Sequence, residues 1–210
     1  MAVVSISRQF GAGGKTLAEK LAQRLGYDYT DQELVERVAK AAGVSDEWVR
    51  VTERESAQKG RGGLSLLSTA FLQRVMGQGT EGADKEELNR LFSKIIPEIA
   101  ARNNVVFLGR GSQFILPGGR RTVKILLVAP LEYRVRFMMD HYNLSQAEAA
   151  ETVRDWDQNR KSFLNRYTER NPDEPGLYDL TLNTSVLRSD WALDLMVKLI
   201  QKKEEAAAQG

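Results

Sequence analysis

The 210-residue chain contains no cysteine and a single histidine. Disulfides, thiolate nucleophiles and Cys-ligated zinc are therefore excluded, and the absence fits a reducing compartment. No apolar run approaches the length of a membrane span. The first residues, MAVVSISRQF, are apolar only briefly, with no basic region before them and no cleavage site after. They read as a buried strand rather than a signal peptide, so the expected location is the cytoplasm. An excess of one charge is also lacking: 30 basic and 28 acidic residues give a formal net charge of +2. That balance does not point to a nucleic acid polymer as partner. The lone histidine, His141, follows a Met-rich helical stretch and reads as a helix-end residue, not a catalyst.

What is present begins with Ala2–Ser7, a short β-branched run suited to a strand buried on both faces. A glycine-rich turn follows, then Lys15–Leu25, with apolar residues at helical spacing and a stop at Gly26. A short strand at Tyr27–Tyr29 leads to a helix over about 32–42, capped by Thr30 or Asp31. Strands are predicted at Val105–Leu108, Thr122–Val128 and Tyr178–Asn183. Helices are predicted from residue 84 or 85 to 102, kinked at Pro97, and over 130–140 and 190–203. Ser145 with Glu148 three residues on matches a capping box, and the helix it opens continues through 155–167 with some break. The tail EEAAAQG is expected to fray. Strands alternating with helices imply a parallel sheet covered on both faces. Residues 45–83 interrupt the alternation and read as an inserted helical lobe, with Lys59 and Arg61 in a glycine-rich loop as weak anion-site candidates.

The turn Gly11-Ala12-Gly13-Gly14-Lys15-Thr16 carries the chemistry. It matches the end of the pattern G-x-x-x-x-G-K-[ST], with Gln9 read at the place of the first glycine. Glycines let several backbone N–H groups converge on an anion, and the following helix adds its positive end. Lys15 is then the point charge for the β- and γ-phosphates, and Thr16 the hydroxyl for Mg²⁺. Arg110 is expected at the C-terminal end of a parallel strand, where ligands of such sheets gather. On a helix, Asp157, Arg160 and Lys161 share a face, and Arg166 lies just beyond.

The segments ISRQFGAGGKTLAEKLAQRLGYDYTDQELV, VVFLGRGSQFIL and LYDLTLNTS resemble the cytidylate kinase-like family, relatives of bacterial cytidylate kinase among the nucleoside monophosphate kinases. The resemblance spans nearly the whole chain and is weakest over 45–95. It implies an α/β P-loop kinase fold: a three-layer α/β/α sandwich with a five-stranded parallel sheet, within a single domain over 1–210. An acceptor-binding lobe at about 45–83 and a lid at about 154–176 would complete it. The implied reaction moves the γ-phosphoryl of ATP, with Mg²⁺, onto a nucleoside monophosphate, CMP or dCMP. The implied acceptor-site residues are Asp31, Arg110, Asp157 and Arg160, with Lys15, Arg110, Arg160 and Arg166 as catalytic cations. True cytidylate kinases carry acids beside the Gly-Arg pair, where this chain has Leu108 and Gly111. That departure motivates a second reading, a kinase of another small metabolite. Gln9 and the lack of a Walker B-like acid motivate a third, a non-catalytic nucleotide-binding module.

Overall fold

The computed structural model describes residues 1–42 and 83–209, with side chains from Leu88 onward in the second segment. The predicted lobe over 45–83, except its last residue, with its loops and its Lys59 and Arg61, lies outside the described residues. The chain divides into two compact units, Met1–Thr30 with Ile99–Gly210, and Asp31–Glu98.

The first unit is built on five strands: β1 (Val3–Arg8), β2 (Asp28–Tyr29), β3 (Val105–Leu108), β4 (Thr122–Val128) and β5 (Leu180–Asn183). They form one parallel sheet in the order β2-β3-β1-β4-β5. This is the α/β fold with five parallel strands that the alternation and the resemblance implied. Strand alternation sorts the side chains. Val4 and Ile6 point to one face, where Val106, Ile125, Leu127 and Leu182 join them. On that face the apolar stripes of α1 (Gly14–Leu25) and of the C-terminal helix close the core, through Leu17, Leu21, Met196 and Ile200. The opposite face holds Ser5, Ser7, Phe107 and Leu126, all buried. Two serines on a buried face need partners. Ser5 Oγ lies 2.7 Å from Ser112 Oγ, and Ser7 Oγ accepts from Gln113 Nε2 at 3.3 Å. Both partners come from α4 (Ser112–Ile115), one short turn after β3 that periodicity does not announce.

The connection leaving β1 leads to the β2 edge of the sheet, and that leaving β4 leads to β5. They part between β1 and β4, where crevices open at the C-terminal ends of parallel strands. The turn after β1 stands there.

Ser145 begins α6 (Gln146–Leu164) with both halves of its capping box formed, and the helix runs without the expected break. It packs on α5 (Leu131–Tyr142). His141 ends α5 with Nδ1 2.9 Å from Phe137 O and its ring stacked on Phe137, a local role as predicted. The last helix, α7 (Ser189–Ala208), is longer than expected. The tail does not fray, because Glu and Ala are strong helix formers and Lys202 pairs with Glu205 one turn on. Strand β5 is shorter than predicted. Asp179 is instead taken up at its start, accepting from the Lys124 N–H at 2.8 Å and pairing with Lys203 at 2.8 Å.

In the second unit, α2 (Asp31–Ala41) buries Leu34, Val35 and Val38. The part of α3 (Ala83–Ala100) within it buries Leu88, Phe92, Ile95 and Ile96, at helical spacing. Arg37 and Glu98 form an ion pair. Pro97 lies inside α3 near its end, and the helix carries on through it to Ala100. Among the described residues no helix is long and apolar enough to cross a membrane.

Candidate phosphate-binding site

The turn leaving β1 is shaped by its glycines. Gly11 has φ 81° and Gly13 φ 71°, a left-handed backbone that only glycine adopts without cost. Gly11 also has no room for a side chain: a Cβ there would lie 3.0 Å from both Cβ and O of Arg134. The Ala12 N–H turns back to Gln9 O at 3.2 Å and tightens the loop. Gly13 is the N-cap of α1, and no side chain caps the helix. The first N–H groups of a helix have no acceptor within it, so here they face the loop with the helix's positive end behind them. Such an end is a ready anion site. Lys15 and Thr16 stand exposed on the first turn of α1, with Lys15 Nζ 3.9 Å from a carboxylate oxygen of Glu19.

The loop is held from behind by residues far away in sequence. The Gln9 side chain accepts from the Ala129 N–H at 3.1 Å, at the end of β4, and donates to Asp173 at 3.1 Å. The Phe10 N–H donates to Asp157 Oδ1 at 3.2 Å, and its ring stacks on Trp156 with centroids 5.5 Å apart. Arg134 closes the arrangement. Its Nε donates to Ala129 O at 2.9 Å, and its Nη1 to Phe10 O at 3.1 Å and to Asp157 Oδ2 at 2.6 Å. With 6% of its surface exposed, Arg134 is a buried cation with a carboxylate and two carbonyls as acceptors.

One turn beyond Asp157 on α6, Arg160 reaches the same strand from its other face. Its Nη2 donates to Ser7 Oγ at 2.9 Å and pairs with Asp173 at 2.7 Å. Tyr178 lies beside this group and donates to Pro172 O at 2.6 Å. Burial is the main cause pushing its phenol above the usual range, against the Ser7 hydrogen bond and the Arg160 charge.

Arg110 occupies the C-terminal end of β3, as expected. Its backbone is left-handed, φ 60°, between Gly109 at 69° and Gly111 at 76°, and its side chain is buried. Three consecutive left-handed residues are costly away from glycine and cluster at functional sites. Tyr167 lies against Gly111, its ring 2.8 Å from where a Cβ would stand.

The structure thus gathers the turn 11–16, Arg110, Asp157 and Arg160 around the C-terminal ends of β1 and β3. Arg166 is exposed just after α6. Asp31 opens α2 in the other unit. Sequence reasoning missed the roles of Ser7, Gln9, Arg134 and Asp173. Nothing local marks them, since each acts through a partner more than a hundred residues away.

Comparison with known proteins agrees with this architecture. An uncharacterized protein from Eubacterium ventriosum ATCC 27560 superposes with a TM-score of 0.62 at 17% identity, over 96% of this chain and 99% of that one. The shikimate kinase from Acinetobacter baumannii, solved in complex with shikimate, follows at a TM-score of 0.50 and 15% identity, over 96% and 94% of the two chains. These likenesses concern the fold. A uronate isomerase from Corynebacterium glutamicum is 32% identical over 104 residues, half of this chain. The match covers only 20% of that protein's length. The cytidylate kinase-like family model matches residues 3–186. With the glycine turn, the parallel sheet and the strained Gly-Arg-Gly corner in place, this match shows that the chain belongs to the cytidylate kinase-like family.

Proposed function

We propose that the protein transfers the γ-phosphoryl group of ATP to a nucleoside monophosphate, with CMP or dCMP as the first choice. The observation that carries this reading is the uncapped start of α1 behind two left-handed glycines, at the C-terminal end of a central parallel strand. The N–H groups at the start of α1 suit a polyphosphate chain. Among the described residues there is no group of three His, Asp or Glu side chains that would hold a metal alone. That fits a Mg²⁺ held mainly by phosphate oxygens and water, with the Thr16 hydroxyl as its protein ligand. Bound there, the ion would neutralise charge on the β- and γ-phosphates.

The protein's own residues would position and neutralise. The loop amides hold the phosphates in place. Lys15, exposed and only loosely paired with Glu19, reaches the outer phosphates on its flexible stem. Arg110, Arg160 and Arg166 supply charge to the transferring group, Arg160 by exchanging Asp173 for phosphate. Asp157 and Asp31 border the acceptor. Arginines in such roles contribute on the order of 10³-fold or more in rate.

A coupled assay for ADP release, run over all common nucleoside monophosphates, tests the proposal. Turnover with CMP or dCMP above the ATP-only rate is expected; no acceptor-dependent turnover with any of them overturns it. Leu108 and Gly111, in place of acids beside Gly109-Arg110, favour one alternative, a different small acceptor. An ATP-dependent phosphorylation screen over a metabolite mixture separates the two. Stabilisation by ATP·Mg²⁺ without transfer to anything would mark a non-catalytic module.

A further inference from the structure

The structure sets the register of the phosphate motif, and it is one residue away from the reading by sequence. The last left-handed glycine of the turn, the one that caps α1, is Gly13. Counting back from it through the pattern G-x-x-x-x-G, the first glycine falls on Arg8, not Gln9. The next position, where the pattern has its lysine, is Gly14. Lys15 falls on the Ser/Thr place, so the Thr16 hydroxyl offered to Mg²⁺ comes one residue later than in the pattern. Its side chain is 58% exposed, and its nearest carboxylate is on Glu19, toward the C-terminal end of the helix.

Arg8 fills the gap that this shift opens. It follows Val4 and Ile6 on the α1 side of β1. Its stem crosses Gly14: a Cβ there would lie 2.7 Å from Arg8 Cγ and 3.0 Å from Arg8 Cβ. Its guanidinium lies on Gly109, where a Cβ would collide with Nη1 and lie 3.2 Å from Cζ. Two glycines on two separate elements clear one path for one side chain. That path runs from the strand end, over the first residue of α1, to the corner that carries Arg110.

We propose that Arg8 is a phosphate-binding residue of this loop, making from the strand end the inner contact that the motif's lysine makes from the helix. A guanidinium suits the task, since its planar fork grips two phosphate oxygens at once. The bare α-carbon at Gly14 is then a requirement, because any side chain there would displace the Arg8 stem. Lys15 is left to the outer phosphates. The inference rests on the ATP reading of the turn.

The test is a fluorescence titration with a ribose-labelled ATP and Mg²⁺, on the wild type and on Arg8→Gln, Arg8→Lys, Lys15→Gln and the double variant Arg8→Gly with Gly14→Lys. Far-UV circular dichroism checks the fold of each. Arg8→Gln is expected to weaken binding roughly 10- to 100-fold, the scale of a charge-assisted phosphate contact. Lys15→Gln is expected to weaken it far less. The double variant puts a lysine at the motif's usual place and is expected to recover most of the loss. It also decides the matter should Arg8→Gln fold poorly. Affinity unchanged in Arg8→Gln, or a loss in Lys15→Gln as large as in Arg8→Gln, overturns the inference and leaves the ATP reading standing. A wild type that binds no nucleotide overturns both.

Discussion

A guanidinium as buried as that of Arg134 has to spend its donors inside the protein, because an unpaired buried charge is strongly unfavourable. Its acceptors are Ala129 O, Phe10 O and Asp157, so one side chain ties the phosphate turn to the end of β4 and to α6. Arg134→Leu is expected to cost about 2–4 kcal/mol in urea unfolding, since a part-buried carboxylate and two carbonyls lose their partner together. Asp157→Asn should cost less, because an amide can still accept from Phe10 N–H. Tyr178 allows a test by pH. Burial holds its folded pKa above the unfolded value, so its contribution is fully present below about pH 10 and is lost as pH rises further. Tyr178→Phe should therefore flatten the alkaline fall of stability, measured as melting temperature from pH 8 to 11. It should also cost about 0.5–1.5 kcal/mol at neutral pH, for the hydrogen bond to Pro172 O.

Elements differ in how much of them is written locally. Helix α6 is announced by Ser145 and Glu148, and both reciprocal bonds form, so Ser145→Ala should destabilise by about 0.5–2 kcal/mol in thermal melts. Helix α1 was equally plain from its apolar spacing and the stop at Gly26, which is left-handed at φ 67°. The corner after β3 is a different case. Gly109-Arg110-Gly111 could be spotted as a motif, but not its three left-handed residues or the Tyr167 ring against Gly111. A side chain at 111 meets strain and a collision together. Gly111→Ala is expected to cost about 1–3 kcal/mol in the same melts, more than an alanine at the open, left-handed Gly13. The C-terminal helix shows the opposite error: a tail read as frayed holds its helix, because local propensity outweighed the rule that chain ends are loose.

At the scale of the whole molecule, a ligand that binds only the folded chain must stabilise it. ATP·Mg²⁺ at about 100 times its Kd should add about 2.7 kcal/mol, or roughly 5–10 °C in melting temperature for a chain of this size. A shift on that scale with ATP that disappears with adenosine would place the stabilisation on the phosphates. The fold was legible because its signals are periodic and near in sequence: β-branched runs, helical stripes, a glycine turn between them. The parallel sheet followed from their alternation. The candidate site was legible where it is a motif, in residues 11–16 and at Arg110, and where helical spacing and the family resemblance pointed, at Asp157 and Arg160.

By itself the sequence determined most of the elements, their order, the glycine turn and the family. These depend on backbone preferences and on contacts within a few residues. Only the tertiary structure decided which side chains support the turn. The Phe10–Arg134, Ser7–Arg160 and Gln9–Asp173 bonds span 124, 153 and 164 residues. No local preference selects such partners. They meet because the packing of strands and helices on the sheet has already closed the loops between them, and burial then requires each polar group to find an acceptor or a donor where it lies.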